Sequence, residues 1–111
     1  MVKARNSMID VSVTVPAFNE GTRLPPYVER LVDVALAREA PVVEFLVSDD
    51  GSDEASAAKE REAVERAQRR FEEAGAPHRF RFRRAEKNRG KGAAIRQGWA
   101  EAAADARWLA F

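Results

Sequence analysis

The sequence contains no cysteine, and its only histidine is His78. These absences exclude disulfide bonds, metal sites built on thiolates and metal sites built on several histidines. No apolar stretch approaches the ~20 residues that a membrane-spanning helix needs, and residues 1–10 are too polar for a secretory signal. We therefore expect a cytoplasmic protein, or one at the cytoplasmic face of a membrane if a longer form is attached there.

Charge and size limit the partners and the number of domains that can be expected. The 19 Lys and Arg residues nearly balance the 18 Asp and Glu residues, so a net charge of +1 gives no reason to expect a nucleic-acid partner. A chain of 111 residues, 45% of them hydrophobic, can form one globular domain. A domain of this size buries roughly 65% of the surface that its unfolded chain exposes. We treat residues 1–111 as one domain, with residues 1–10 as an N-terminal extension.

Predicted strands and helices alternate along the first half of the chain. Residues 11–15, Val-Ser-Val-Thr-Val, predict a strand that ends at Pro16, because proline has no amide hydrogen for the ladder. Apolar residues at helical spacing, after two prolines, predict a helix over about 26–38. Residues 42–47 are nearly all apolar, which is typical of a strand covered on both faces of a parallel sheet.

The second half of the chain repeats this alternation. Ser52 is the predicted N-cap of a long helix. The buried stripe of that helix is predicted to contain Val64, Ala67, Phe71 and Ala74. Residues 79–83 alternate Arg and Phe, which predicts an edge strand with one solvated face. A third helix is predicted from Ile95, Trp99, Ala102, Ala103 and Ala106. Residues 107–111 begin another apolar strand.

This order of elements predicts an α/β fold with a Rossmann-like parallel sheet and right-handed crossovers. The sequence stops in the predicted fourth strand, so we expect a sheet truncated after about four strands. The edge left by that truncation is expected to favour self-association. We expect Trp99 and Trp108 in the core and His78 in a loop.

Three motifs follow the first three predicted strands, at the edge where open α/β sheets hold ligands. The first, Val-Pro-Ala-Phe-Asn-Glu at 15–20, offers an apolar face at Phe18 and a hydrogen-bond acceptor at Glu20. The second, Asp-Asp-Gly-Ser at 49–52, offers carboxylates that can accept hydrogen bonds from a base or a ribose. Taken singly, each motif is better explained as a turn with local capping. The second motif does not fit the EF-hand pattern, and no metal site is predicted for it.

The third motif, Asn-Arg-Gly-Lys-Gly-Ala at 88–93, is a basic glycine loop before a predicted helix. Gly90 and Gly92 allow close approach of a ligand to the backbone, while Lys91 and Arg96 supply positive charge that suits a phosphate. The loop matches neither the Walker motif nor the dinucleotide fingerprint. The alternative interpretation is a surface connector with solvated cations.

A binding module without catalytic activity is the main functional alternative. Seven Lys or Arg residues fall within 79–91, interleaved with Phe80 and Phe82, which is a pattern that RNA-binding strands also show. An edge strand protected by charge explains the same pattern. A nucleotidyltransferase fits less well, because its basic glycine loop would follow the first strand.

Taken together and in this order, the three motifs resemble the successive motifs of family 2 glycosyltransferases, especially the polyprenyl (dolichyl) phosphate sugar synthases. The resemblance runs from about residue 11 to residue 111. It implies a GT-A fold, in which a nucleotide-diphosphate sugar lies across the carboxyl ends of the first parallel strands. It also implies inverting transfer of the sugar to an acceptor, which may be a polyprenyl phosphate in the longer protein.

Position by position, the resemblance implies nucleotide contacts for Pro16, Phe18, Glu20, Ser48, Asp49, Asp50, Gly90, Lys91, Gly92 and Arg96. Asp50 corresponds to the carboxylate that binds the base, and Ser48 would contribute through its backbone. The Asp-x-Asp motif that holds Mg or Mn in this family, and its catalytic carboxylate, would fall beyond Phe111. Residues 1–111 are therefore expected to bind the nucleotide and to be inactive in transfer.

Overall fold

The computed structural model describes residues 9–111, which form a four-stranded sheet flanked by helices. The elements in chain order are β1 (Val11–Ala17), α1 (Leu24–Leu36), β2 (Val43–Asp49), α2 (Glu54–Glu73), β3 (Arg79–Arg84), α3 (Lys91–Ala100) and β4 (Trp108–Ala110). The strands pair in parallel in the order β3-β2-β1-β4. This confirms the predicted α/β fold and the edge position of β3. The first eight residues of the predicted extension lie outside the described range.

The main hydrophobic core lies between the sheet and helices α1 and α2. Its buried members include Val15, Val28, Val32, Phe45, Val47, Ala67, Phe71 and Phe80. Phe45 on β2 and Phe80 on β3 stack with ring centroids 4.9 Å apart. Because alternate residues of a strand face opposite sides, this packing leaves a second set of strand residues for the other face of the sheet.

The opposite face of the sheet is polar and is covered by α3. Gly98 of α3 lies against Thr14 of β1, so close that an added Cβ would stand 2.4 Å from Thr14 Cγ2. Near the start of α3, Ser48 Oγ donates a 2.7 Å hydrogen bond to the carbonyl oxygen of Ala94. The glycine therefore lets α3 approach the sheet, and the helix begins beside the carboxyl ends of β1 and β2.

Glu44 is a buried carboxylate on this polar face, and protein donors satisfy it. Arg81 Nε and Ser12 Oγ each donate a 2.7 Å hydrogen bond, and the Ala103 amide donates one of 3.0 Å. Burial raises the pKa of Glu44, but the hydrogen bonds from Arg81 and Ser12 outweigh it and leave the pKa below its ordinary value. The ionised Glu44 side chain on β2 is thus hydrogen-bonded to β1, to β3 and to the segment after α3.

Several predicted boundaries are wrong. Strand β1 continues through Pro16, because β4 pairs with β1 only as far as Val13 and needs no amide hydrogen from Pro16. The N-cap of α2 is Asp53 rather than Ser52, and its side chain accepts from the Ser56 amide. The third helix ends at Ala100 and does not include the three later alanines of the predicted stripe.

Two burial predictions also fail. Ala74 is exposed, at the C-cap of α2. Trp108 is 68% exposed on the edge strand β4, whereas Trp99 is half-buried. His78 lies in the loop between α2 and β3, as predicted, but it is buried there, and its Nδ1 accepts a 3.1 Å hydrogen bond from the Val43 amide.

Candidate functional site

A cavity of about 390 Å³ opens at the carboxyl ends of β1 and β2, where α3 begins. Its lining residues are Pro16, Ala17, Phe18, Glu20, Asp50, Asn88, Gly90, Lys91 and Ala94. All three motifs therefore contribute to one cavity, whose size suits a small ligand. Six of the ten predicted site residues meet there.

The other four predicted site residues lie elsewhere. Ser48 and Asp49 are buried beneath the cavity, and Gly92 is exposed within the first turn of α3. Arg96 lies on a neighbouring groove of about 460 Å³ together with Arg89. These positions do not line the cavity described above.

The turn after β1 is anchored on the start of α2. Asn19 has a left-handed backbone conformation with φ of 51°, which asparagine tolerates better than most residues. Its amide donates to Ser52 Oγ at 2.7 Å, and its side-chain oxygen accepts from the Asp53 amide at 3.0 Å. This anchoring leaves Phe18 at the cavity with 45% of its surface exposed.

A buried pair of acids, Asp49 and Glu60, supports the turn from below. Burial and a hydrogen bond with Asp49 raise the pKa of Glu60 to about 7. Burial opposes ionisation of Asp49 as well, but hydrogen bonds from Glu60, Ser52 and the backbone lower the pKa of Asp49. The proton shared by this pair therefore resides on Glu60, which also accepts from the Glu20 amide at 2.9 Å.

Ser52 links the acid pair to the turn. Its hydroxyl donates to Asp49 Oδ1 in a short hydrogen bond, and its amide donates to Asp49 Oδ2 at 2.8 Å. The same hydroxyl accepts from the Asn19 amide. Ser52 is thus fully engaged between buried groups, which explains why its neighbour caps α2.

Asp50 connects the second motif to the third. Its two carboxylate oxygens accept hydrogen bonds from the amides of Arg89 and Gly90, each at 2.8 Å. Gly51, with φ of +83°, lies against the same loop, since an added Cβ would be 2.6 Å from the carbonyl carbon of Lys87. The turn after β2 and the glycine loop are therefore in direct contact.

The cavity combines an acidic group with a basic helix start. Glu20 accepts two hydrogen bonds from Arg23, at 2.7 and 2.9 Å, but Arg23 is 82% exposed and this pair is easily exchanged for another partner. On the opposite side, α3 begins at Lys91 without a side-chain cap, after Gly90 with φ of +100°. The free amides of a helix start and a lysine together favour an anionic group.

Within residues 9–111, no three acidic, histidine or cysteine side chains come together as a metal site. The adjacent acids of the second motif, Asp49 and Asp50, already accept hydrogen bonds from protein donors on all four carboxylate oxygens. This donor arrangement does not suit Mg or Mn, and no chemical step through a metal is derived for these residues.

Sequence reasoning missed three residues that line the cavity, Ala17, Asn88 and Ala94, and one that supports it from below, Glu60. Asn88 lines the cavity as the first residue of the third motif, so the motif itself was the available signal. Glu60 could have been found from the spacing of α2, because it interrupts a buried apolar stripe that includes Ala57 and Val64. A carboxyl group in such a stripe must be neutral or bonded to protein donors.

One of three comparisons with known proteins finds a match. No curated protein and no solved structure matches this sequence. No helix within residues 9–111 is long and apolar enough to cross a membrane. A model of the family described as glycosyl transferase family 2 matches residues 12–111, which include every strand and helix except the first residue of β1. The chain therefore belongs to glycosyl transferase family 2.

Proposed function

We propose that the cavity binds the nucleotide of a nucleotide-diphosphate sugar, as the donor site of an inverting glycosyltransferase. The observation that carries this proposal is the convergence of Phe18, Glu20 and Lys91 on one cavity at the carboxyl edge of a parallel sheet. Phe18 and Glu20 come from the first motif and Lys91 from the third, and each suits a different part of a nucleotide. The family assignment supports sugar transfer as the reaction.

Each part of the donor has a complementary group in the proposed complex. The base stacks on the exposed ring of Phe18, since aromatic side chains bind planar bases through their faces. Glu20 releases the exposed Arg23 and accepts hydrogen bonds from ribose hydroxyls. The diphosphate lies against Lys91 and the amides at the start of α3.

The proposed reaction is a direct displacement at the anomeric carbon. An acceptor oxygen forms the new bond while the bond to the diphosphate oxygen breaks, and the nucleoside diphosphate leaves with the electron pair. The residues at the cavity contribute by orienting the donor, which removes part of the entropic barrier. A divalent metal, Mg or Mn, if bound together with the donor, would stabilise the leaving group.

The acceptor, the location and the activity of residues 1–111 are further parts of this proposal. The proposed acceptor is a polyprenyl phosphate, at the cytoplasmic face of a membrane. We propose that residues 1–111 alone bind the donor without transferring its sugar, because the described residues lack a cluster of metal ligands. The acceptor and the turnover can both be tested with a longer form of the protein.

The arginines of β3 favour this proposal over RNA binding. Arg81 is bonded to Glu44, Arg83 to Glu101 and Arg84 to Glu54. A strand whose cations are paired with carboxylates offers little unbalanced charge to a phosphate backbone. A steep salt dependence of binding to single-stranded RNA would reverse this preference.

Calorimetric titration with UDP and with GDP tests the nucleotide site. We expect saturable binding of at least one nucleotide, and a loss of about tenfold in affinity for Phe18→Ala, since base stacking contributes about 1–3 kcal/mol. Val34→Ala is the matched control, because Val34 is 57% exposed on α1 and does not line the cavity. Failure of the protein to bind either nucleotide would refute the proposal.

A further inference from the structure

The turn after β1, which carries the Glu20 side chain to the cavity, is held by α2. The Glu20 amide donates a 2.9 Å hydrogen bond to Glu60 Oε2. The next residue, Gly21, packs directly on the helix, since an added Cβ would stand 3.2 Å from Lys59 Cβ and from Ser56 Cα. The position of Glu20 at the cavity therefore depends on contacts with α2.

Glu60 lies among groups that favour a single negative charge. Its side chain and that of Asp49 on β2 are fully buried, and Ser52 Oγ lies 3.3 Å from Glu60 Oε2 while it bonds to Asp49. Arg84 of β3 faces the pair, with its Nε 3.9 Å from Asp49 Oδ2. The Glu20 carboxylate makes its ion pair elsewhere, and the buried residues of α1 are apolar. Two neighbouring buried carboxyl groups oppose a second charge.

Core packing alone does not account for an acid at position 60. Its neighbours on the buried stripe of α2 include Ala57 and Val64, and an apolar residue between them would avoid the cost of burying a carboxyl group. The carboxyl oxygen supplies what an apolar residue lacks, which is an acceptor for the Glu20 amide. Without that acceptor, the amide would favour a turn that opens towards water.

We propose that Glu60 is a positioning residue of the nucleotide site, which holds the turn after β1 in place so that the Glu20 carboxylate faces the ribose. This inference rests on the proposed function and goes beyond it, because Glu60 lies outside the cavity and acts through the Glu20 amide. Phe18 belongs to the same turn, so the base and the ribose both depend on this contact. Lys91, at the phosphate end, belongs to a different segment.

The positioning role makes nucleotide affinity depend on pH. Burial and the hydrogen bond with Asp49 raise the pKa of Glu60 to about 7, so both acids become ionised as the pH rises through that value. Two buried carboxylates in contact repel each other, and they gain hydration if the turn lifts from α2. Because the ligand needs the closed turn, it favours the protonated pair, and its affinity falls above about pH 7.

Two substitutions at position 60 separate positioning from packing. At about pH 6, Glu60→Gln keeps an acceptor for the Glu20 amide, so it should bind UDP or GDP within about twofold of the wild type. Glu60→Leu removes the acceptor and should lose about tenfold in affinity. Phe71→Leu is the control for general destabilisation, because Phe71 is buried near the other end of α2, and its affinity should not change. Equal affinities of Glu60→Leu and Glu60→Gln would overturn the inference.

Calorimetric titrations at about pH 6 and about pH 8 measure the pH dependence. The affinity of the wild type relative to Glu60→Gln should fall by about three- to tenfold between these values, and about tenfold is the limit for a pKa of about 7. The ratio cancels the ionisation of the nucleotide phosphate. A constant ratio would overturn the inference, because the acid pair would then not control the turn. This comparison also decides the inference if Glu60→Leu does not fold.

NMR of the free protein separates this inference from the nucleotide proposal. The Glu20 amide resonance should shift with pH at a midpoint near 7 in the wild type and should not do so in Glu60→Gln. Its hydrogen exchange should be at least about tenfold faster in Glu60→Leu than in the wild type. These results are expected even if the wild type binds neither UDP nor GDP, in which case only the proposed function fails. Nucleotide binding together with a Glu20 amide that is insensitive to Glu60 would refute the positioning role alone.

Discussion

Replacing Glu60 by glutamine should remove a large part of the pH dependence of stability. Burial, together with the hydrogen bond to Asp49, raises the pKa of Glu60 from 4.5 to about 7. Between these two values the folded protein keeps a proton that the unfolded chain has released. The stability that this group contributes is therefore fully present below its ordinary pKa and is lost as the pH rises through about 7.

The magnitude follows from the size of the change in pKa. Each unit corresponds to about 1.36 kcal/mol, so a rise from 4.5 to about 7 corresponds to about 3 kcal/mol in total. Roughly 2 to 3 kcal/mol of this stability is lost as the pH rises from about 5 to about 8. In Glu60→Gln, the amide can still accept from the Glu20 amide and donate to Asp49, but it does not titrate.

Urea unfolding followed by circular dichroism, at constant ionic strength, measures this effect. The free energy of unfolding of Glu60→Gln relative to wild type should rise by roughly 2 to 3 kcal/mol between about pH 5 and about pH 8. Glu65→Gln, at an exposed position of the same helix, should follow the wild type at both pH values. A difference between Glu60→Gln and wild type that is independent of pH would show that the carboxyl group does not hold its proton in the folded state.

Two further substitutions test the polar face of the sheet by thermal unfolding. Gly98→Ala should destabilise the protein by about 1–3 kcal/mol, because the new Cβ would stand 2.4 Å from Thr14 Cγ2 in a packed interface. Arg81→Ala should cost about 2 kcal/mol, because it removes the charged donor from the buried Glu44. That cost is below the 3–5 kcal/mol of a fully buried pair, since Arg81 is 40% exposed.

Control substitutions at exposed positions show whether the loss of stability depends on the buried contact or only on the type of residue that is changed. Gly92→Ala also adds a methyl group within α3, but its nearest neighbour is the end of the Arg96 side chain, so it should be neutral or stabilising by about 0.5–1 kcal/mol. Arg66→Ala removes an exposed pair with Glu62 and should change stability by less than about 0.5 kcal/mol. Gly92→Ala is the control for Gly98→Ala, and Arg66→Ala is the control for Arg81→Ala. If a substitution and its control lose the same stability, the contact that the substitution tests does not contribute to stability.

The order of elements and the location of the cavity were predictable because both follow from short-range patterns. Alternation along β1 and the apolar run of β2 identify the strands, and the carboxyl ends of parallel strands must meet at one edge. The motifs that follow those strands therefore had to come together. The sequence placed Phe18 and Lys91 at the same cavity for this reason.

The errors arise where a distant partner determines the local structure. The chain leaves the helical path before Ala103, whose amide instead bonds to the buried Glu44 carboxylate. Ser52 is a good N-cap by type, but its hydroxyl group bonds to the buried Asp49 and accepts from the amide of Asn19, 33 positions away. Periodicity and local propensity contain no information about these partners.

The contact between α3 and β4 gives the protein an internal optical probe. The Trp99 indole donates a 3.0 Å hydrogen bond to the Ala110 carbonyl oxygen, and its ring meets Phe111 edge to face at 5.8 Å. Trp108, on β4 itself, is exposed to water and emits from a different environment. With Trp108 changed to phenylalanine, the fluorescence of Trp99 would report whether the last strand is docked, and a red shift would mark its departure without any added label.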